Sequence, residues 1–263
     1  MVLGHKKEQK AHKMFLTRAT QFLCDALLAV AYPQSCAICH ASVERRRFGV
    51  VCEGCWRKTR IFDGTEILCW KCGLLHDVDE LTVSIPAEEV RCRRCEMQDF
   101  NVARAVGPYD GALRKSVLQL KRQPHIAPQL EELLIAAAKR EPLNQSTRII
   151  PVPLHKRRLR SRGFNQAAII AQVLSRELAL PLDEVSLVRV FSTEKYRAGL
   201  DAKGRRDTVA GAFEVRHSRL IARESILLVD DVFTTGATVS ACSEALLAAG
   251  ARNVFVLTIS RAY

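Results

Sequence analysis

Eight cysteines standing in four C-x-x-C pairs, Cys36/Cys39, Cys52/Cys55, Cys69/Cys72 and Cys92/Cys95, constrain this chain more than any other feature. Two residues between thiolates form a tight knuckle that offers both sulfurs to one tetrahedral metal. Four thiolates then close a structural Zn2+ site with no open position for chemistry. One pair alone is a weak signal, because redox motifs share it; four between residues 36 and 95 are a strong one. Sequential pairing gives C-x2-C-x12-C-x2-C and then C-x2-C-x19-C-x2-C, and is the arrangement we favour. Interleaved pairing, first with third and second with fourth, fits the spacing as well, so the expectation is one or two structural Zn2+. The segment is short of aliphatic residues, and metal stands in for the missing core. A nucleic-acid grip through Arg45 to Arg47, Arg57, Lys58, Arg91, Arg93, Arg94, Trp56 and Trp70 competes with a plain metal-stapled scaffold. The tryptophans directly follow Cys55 and Cys69, where packing over the sites is the simpler account. Cys24 and Cys242 stand alone in helical patterns and read as buried, apolar-like residues.

In a secreted chain such cysteines would form disulfides, but the opening MVLGHKKEQKAHK has no signal-peptide character. Residues 14–32 are interrupted by Arg18, Gln21 and Asp25, so they read as an amphipathic helix and not as a membrane span. The expected setting is therefore the reducing cytoplasm. With 48% apolar residues in 263, the chain can build a full core, which excludes a disordered tail or a disulfide mini-protein. The net charge of +12 is uneven, +3 over residues 1–104 and +9 over 105–263. Its densest stretch, 155–166, carries Lys156, Arg157, Arg158, Arg160 and Arg162 with no acid. Such a field implies an anionic partner, either nucleic acid or a small polyanion such as a pyrophosphate ester.

From about residue 101 the pattern changes to short apolar runs alternating with amphipathic stretches, as in a parallel α/β sheet. Candidate strands are 102–107, 147–152, 187–190, 212–215, 225–229 and 253–260; candidate helices are 111–121, 128–139, 165–178 and 238–249. Gly250 supplies a left-handed cap for the last helix. The segment ILLVDDVFTTGAT, 226–238, is decisive: an apolar strand ending in two carboxylates, then a Thr/Gly-rich turn entering a helix. Backbone N–H groups of the turn, the hydroxyls of Thr234, Thr235 and Thr238, and the positive helix end can surround a phosphate. Asp230 and Asp231 stand where they can accept from a ribose diol or help hold Mg2+. Gly236 serves where backbone must approach a phosphate closely.

VDDVFTTGAT resembles the phosphoribosyl pyrophosphate (PRPP) loop of type I phosphoribosyltransferases. Together with the cysteine pairs, YDGALRKSVLQLK (109–121), PVPLHKRRLRSRGFNQA (151–167) and RAGLDAKGRRDTVAGAF (197–213), it resembles the ComF/ComFC competence family over nearly the whole chain from about Pro33. The resemblance implies an α/β fold of type I phosphoribosyltransferase kind, a parallel sheet flanked by helices behind a small four-cysteine type of zinc module and an N-terminal helix. It implies PRPP and Mg2+ as ligands, held along Asp230, Asp231, Val232, Phe233, Thr234, Thr235, Gly236, Ala237 and Thr238. Asp230 and Asp231 would take the ribose hydroxyls and serve the chemistry. Pro153, Leu154, His155 and Lys156 would take the pyrophosphate. It also implies a role in DNA uptake during natural transformation, with other DNA-uptake proteins as partners.

The basic residues Arg157, Arg158, Arg160 and Arg162, with Asn165, stand beside the same edge and would form a hood. A second basic stretch with Lys203, Arg205 and Arg206 would fold over the site as a lid on Gly199 and Gly204. Both stretches also suit a groove for single-stranded DNA, which makes a DNA-binding protein with a regulatory or vestigial PRPP site the rival reading. Interleaved aromatic and basic residues over one sheet face, the mark of a dedicated single-strand platform, are lacking. Thr234 stands where salvage enzymes for 6-oxopurines usually place an aspartate, so the acceptor is left untyped. Asp207 and Thr208 stand where the family tends to show Asn. The chain divides as 1–33 (basic tail and helix), 34–100 (zinc module) and 101–263 (phosphoribosyltransferase-type domain).

Overall fold

Long runs of Val, Ile and Leu buried on both sides pair most readily as parallel strands under helices, and the computed structural model follows that rule. It describes residues 34–66, 68–75, 89–191 and 211–263. Strands β1 (Val102–Pro108), β2 (Arg148–Pro151), β5 (Ser225–Phe233) and β6 (Asn253–Arg261) form a four-stranded sheet in the order β1-β6-β5-β2, parallel throughout. Helices α2 (Gly111–Leu120), α3 (Pro128–Ala138) and α5 (Gln166–Leu178) cover the face of Leu227, Val229, Leu257 and Ile259. Helix α7 (Ala237–Ala248) covers Ile226, Leu228, Val254 and Val256. Alternate strand residues thus enter separate cores, as the two-residue period of a strand requires.

The helix starts are set locally. Pro128 opens α3. Asn165 caps α5 by accepting from the Ala167 N–H at 3.1 Å. Thr59, from the Cys-rich segment, accepts from Ala112 N–H at 2.9 Å and so caps α2 from outside. Gly250, at φ +95, ends α7 as expected.

The parallel sheet flanked by helices that the sequence implies is the one the described residues adopt, with four local differences. β5 does not stop at Val229 but runs to Phe233, because β6 extends to Arg261 and supplies partners throughout, Asp230 opposite Thr258 and Phe233 opposite Arg261. β3 (Leu187–Arg189) and β4 (Phe213–Val215) do not join the sheet; they pair antiparallel with each other, satisfying their own backbone groups in a ribbon beside α7. The basic stretch, to which the sequence pattern assigns no element, is a helix, α4 (Lys156–Arg162), closed by Gly163 at φ +85. A short helix α6, Ser218–Ile221, was not foreseen. The expected N-terminal helix with Cys24, and the lid with Lys203, Arg205, Arg206, Asp207 and Thr208, lie outside the described residues.

The described residues between 34 and 100 share the two cores of the sheet. Cys36, Val43, Phe48, Val51 and Trp56 belong to the cluster under α2 and α3, and helix α1 (Glu53–Arg57) packs against α2. Cys69, Cys72, Cys92, Cys95 and Phe100 belong to the cluster under α7. The segment therefore straddles the β1 edge. Phe62 N–H donates to Val106 C=O at 2.8 Å, and Ala103 N–H to Lys71 C=O at 2.7 Å. At the opposite edge Ile149 N–H donates to Pro181 C=O and Asp183 N–H to Ile149 C=O, both at 2.9 Å. Among the described residues no helix is long and apolar enough to cross a membrane.

Candidate functional site

The cysteines meet in sequential pairs. Cys36, Cys39, Cys52 and Cys55 form one quartet and Cys69, Cys72, Cys92 and Cys95 another, the sulfurs of each lying within 4.8 Å of one another. Cys69–Cys95, Cys72–Cys92 and Cys39–Cys52 sulfur separations of 3.5, 3.4 and 3.6 Å approach the roughly 3.8 Å edge of a tetrahedron with Zn–S bonds of about 2.3 Å. The donor set and spacing fit structural Zn2+. The thiols share protons unequally. In the first quartet burial pushes Cys36 up, yet the amides of Cys39, Cys52 and Ile38 outweigh it and bring the thiol to about 6; burial pushes Cys55 up to about 12. In the second, a hydrogen bond from Cys72, against desolvation, draws Cys69 down to about 3, and burial pushes Cys95 up to about 12. A dication must expel the remaining protons as it binds.

The quartets differ in exposure. In the first, Cys39 is exposed and Cys52 and Cys55 are half-buried; in the second all four are buried. Trp56 is buried, its Nε1–H donating to Phe48 C=O at 2.9 Å, so it offers no stacking face to a base. Trp70 carries the Arg104 guanidinium 5.0 Å from its ring centroid. Cys242 is fully buried as expected.

The phosphate turn stands where β5 gives way to α7. Phe233 ends the strand, Thr234 is exposed, Thr235 and Thr238 are half-buried, and Gly236 and Ala237 are buried. Gly236, at φ +81, is the N-cap of α7. Asp230 Oδ1 accepts from the Asp231 N–H at 2.8 Å. Asp231 pairs with Lys121 at 3.2 Å. Both carboxylates are half-buried and lie inside the paired strand, so the backbone fixes their positions.

Beside them, β2 ends at Pro151 opposite Val229, and Val152 N–H donates to Val229 C=O at 2.8 Å. Pro153, Leu154 and His155 therefore leave the sheet next to the acidic pair. His155 Nδ1 accepts from Arg157 N–H at 3.3 Å and starts α4. Asn165 turns inward, its Nδ2 donating to Val152 C=O at 3.0 Å, so it braces the loop and does not join the basic surface. Lys121, Arg157, Arg158, Ser161 and Arg162 line a cavity of about 470 Å3. Lys156 and Arg160 are exposed on the same short helix. Lys121 belongs to both groups, one side toward Asp231 and the other toward the arginines. A cavity walled by four cations, one of them paired with Asp231, suits a polyanionic ester.

Sequence reasoning did not find Lys121, although it lies in the 109–121 motif; its ion pair spans more than a hundred residues and leaves no local mark. Gln98 and Arg261 were also missed. Gln98 Nε2 donates to the Thr235 C=O at 2.7 Å. Arg261 lies with its guanidinium 4.3 Å from the Phe233 ring centroid, donates through Nη1 to Cys72 C=O, and approaches Cys72 Sγ at 3.4 Å through Nη2.

Residues 27–96 match the double zinc ribbon domain. "DNA utilization protein YhgH" of Escherichia coli O157:H7 is 33% identical over 87% of this chain and 97% of its own length. "Competence protein F" of Haemophilus influenzae is 32% identical over 86% of this chain and 96% of its own. "Competence protein ComFC" of Bacillus subtilis is 31% identical over 43% of this chain and 44% of its own. Among solved structures, glutamine PRPP amidotransferase of B. subtilis aligns at 14% identity over 54% of this chain and 30% of that one, TM-score 0.37. Hypoxanthine-guanine phosphoribosyl transferase of L. donovani aligns at 12% identity over 55% and 71%, TM-score 0.29.

Proposed function

The chain belongs to the family of DNA utilization protein YhgH and competence proteins F and ComFC, and from that premise we propose that it binds PRPP with Mg2+ at the carboxyl edge of β2 and β5. The observation that carries the reading is Lys121, which joins Asp231 to the arginine-lined cavity. The turn Thr234–Thr238 takes the 5-phosphate on its N–H groups and hydroxyls. Asp230 and Asp231 accept from the ribose hydroxyls, and Pro153 to Lys156 with Lys121, Arg157, Arg158 and Arg162 take the pyrophosphate. The hard carboxylate oxygens suit Mg2+, which when bound supplies charge to neutralise the diphosphate. Asp231 can turn toward it once its lysine partner turns to the phosphates.

The reaction this arrangement suits is pentosyl transfer. The C1–O bond breaks with its electron pair leaving on pyrophosphate, and a lone pair of the acceptor forms the new bond to C1. No side-chain nucleophile is needed; positioning and cations at the leaving group lower the barrier. Thr234 is no general base, so the acceptor brings its own nucleophilic lone pair. The names of the relatives support a part in DNA utilization or competence. A second reading is favoured by the exposure of Lys156, Arg157 and Arg160 on α4, which suits the backbone of single-stranded DNA.

Calorimetric titration of the zinc-loaded chain with PRPP and Mg2+, beside Asp230→Asn and Asp231→Asn, tests the first reading. Binding by the wild type that is lost in both variants supports it. No binding by the wild type refutes it and leaves single-stranded DNA as the better ligand.

A further inference from the structure

The second zinc ribbon is attached to the phosphate turn through several contacts. Gln98, three residues beyond Cys95, is 7% exposed and donates to the Thr235 carbonyl at 2.7 Å. Its amide occupies the space over Gly236, where a Cβ would fall 2.6 Å from Nε2 and 2.7 Å from the Phe233 ring edge. Asp99 grips the first turn of α7 twice: its N–H donates to Ser240 Oγ at 3.1 Å, and its Oδ2 accepts from the same hydroxyl at 2.7 Å. Phe100 meets Phe233 edge-on at 5.8 Å between ring centroids. Arg261 lies over Phe233 and donates to Cys72. All four cysteines of this quartet lie in one apolar cluster with Phe100, Phe233 and Ala237.

The first quartet lies elsewhere. Cys36, Cys52, Cys55 and Trp56 pack in the cluster under α2 and α3 on the other face of the sheet. The two metal sites are thus unequal in what they support. A turn that binds phosphate through backbone N–H groups must hold those groups in one conformation, and a three-residue connection with a left-handed glycine has little of its own to hold it. Gln98–Asp99–Phe100 supplies what is missing, and the tripeptide is tied to the quartet by the Gln98 N–H, which donates to the Cys95 C=O at 3.1 Å.

We infer that Gln98 is a positioning residue for the phosphate turn, and that filling of the Cys69/Cys72/Cys92/Cys95 site sets the conformation of Thr234–Thr238 and hence its affinity for a phosphate ester. The second clause rests on the PRPP reading; the first does not. By linkage, whatever factor zinc contributes to ligand affinity, ligand returns to zinc retention at that quartet.

The test uses the zinc-loaded full chain and the variants Gln98→Ala and Gln98→Met, the second keeping bulk without the amide. Zinc content, amide exchange at Thr235 to Val239, and titration with PRPP and Mg2+ are measured on each. Expected are unchanged zinc, exchange about fivefold faster at the turn for the lost hydrogen bond, with β1 and β6 unaffected, and a similar fall in affinity. In a chelator challenge, PRPP with Mg2+ should slow release from the second quartet and leave release from the first unchanged. Turn exchange at the wild-type rate in both variants, or acceleration spread equally over the sheet, overturns the positioning role. Release of both metals slowed alike, or of neither, in a protein that binds PRPP overturns the zinc linkage. If the wild type does not bind PRPP, the functional reading fails, and turn exchange alone decides the role of Gln98.

Discussion

Replacing Gly236 by Ala perturbs the turn with one methyl group, and its cost follows from two features of the site. At φ +81 any residue with a Cβ is strained by about 1–2 kcal/mol. The new methyl also overlaps the Gln98 amide and the Phe233 ring edge. Phe233 is packed under Arg261 and Phe100 and has no room to retreat, so the flexible end of Gln98 must move and abandon its bond to the Thr235 carbonyl, a further loss of about 1 kcal/mol. The sum, about 2–3 kcal/mol, corresponds to a melting temperature lower by roughly 5–10 °C in a chain of this size. Scanning calorimetry of the zinc-loaded protein measures it. The double variant Gln98→Ala/Gly236→Ala separates the contributions: with Gln98 gone, backbone strain and the Phe233 overlap remain but the Gln98 bond is lost only once, so the double loss should fall short of the summed single losses by about 1 kcal/mol. A Gly236→Ala protein within about 0.5 kcal/mol of wild type, or strict additivity in the double variant, refutes the packing account of this glycine.

Two further outcomes follow from exposure and charge. A chromogenic chelator should remove two Zn2+ per chain in separate phases, the first from Cys36/Cys39/Cys52/Cys55, where Cys39 is exposed, and the second, slower, from the fully buried quartet; Cys39→Ser should abolish only the fast phase, and its loss of the slow phase instead would reverse the order. If α4 holds single-stranded DNA, log affinity should fall linearly with log salt, and Ala at Arg157, Arg158, Arg160 and Arg162 should flatten the slope by about one unit per lost phosphate contact; a slope unchanged in the quadruple variant moves the DNA surface elsewhere.

Much of this molecule was legible from spacing and periodicity. Knuckle spacing gave the eight ligands, and the apolar runs at 102–107, 225–229 and 253–260 gave three strands of the sheet, because a strand buried on both faces must be continuously apolar. The same rule misplaced the end of β5: Asp230 and Asp231 break the apolar run but not the pairing, which depends on the length of β6. Short runs at 187–190 and 212–215 carry no information on the sheet they enter, and the antiparallel ribbon is decided by α7. Charge density found α4 but not its helicity, since seven residues with five cations and no acid have little intrinsic reason to be helical; the His155 and Gly163 caps supply it. Lys121, Gln98 and Arg261 act through partners far along the chain, and no local pattern encodes such pairs.

The two flanks of the sheet have a consequence for company. Parallel sheets with open margins are templates on which another chain can add a strand. Here Lys71 and the Phe62 amide occupy one margin, and Pro181 to Asp183 occupy the other. Strand addition, by a second copy or by a peptide in extended form, is closed along both margins while these segments stay in place. Along this four-stranded sheet, stripping the metals would open a new seat at β1, turning a sheltered border into a site of aggregation.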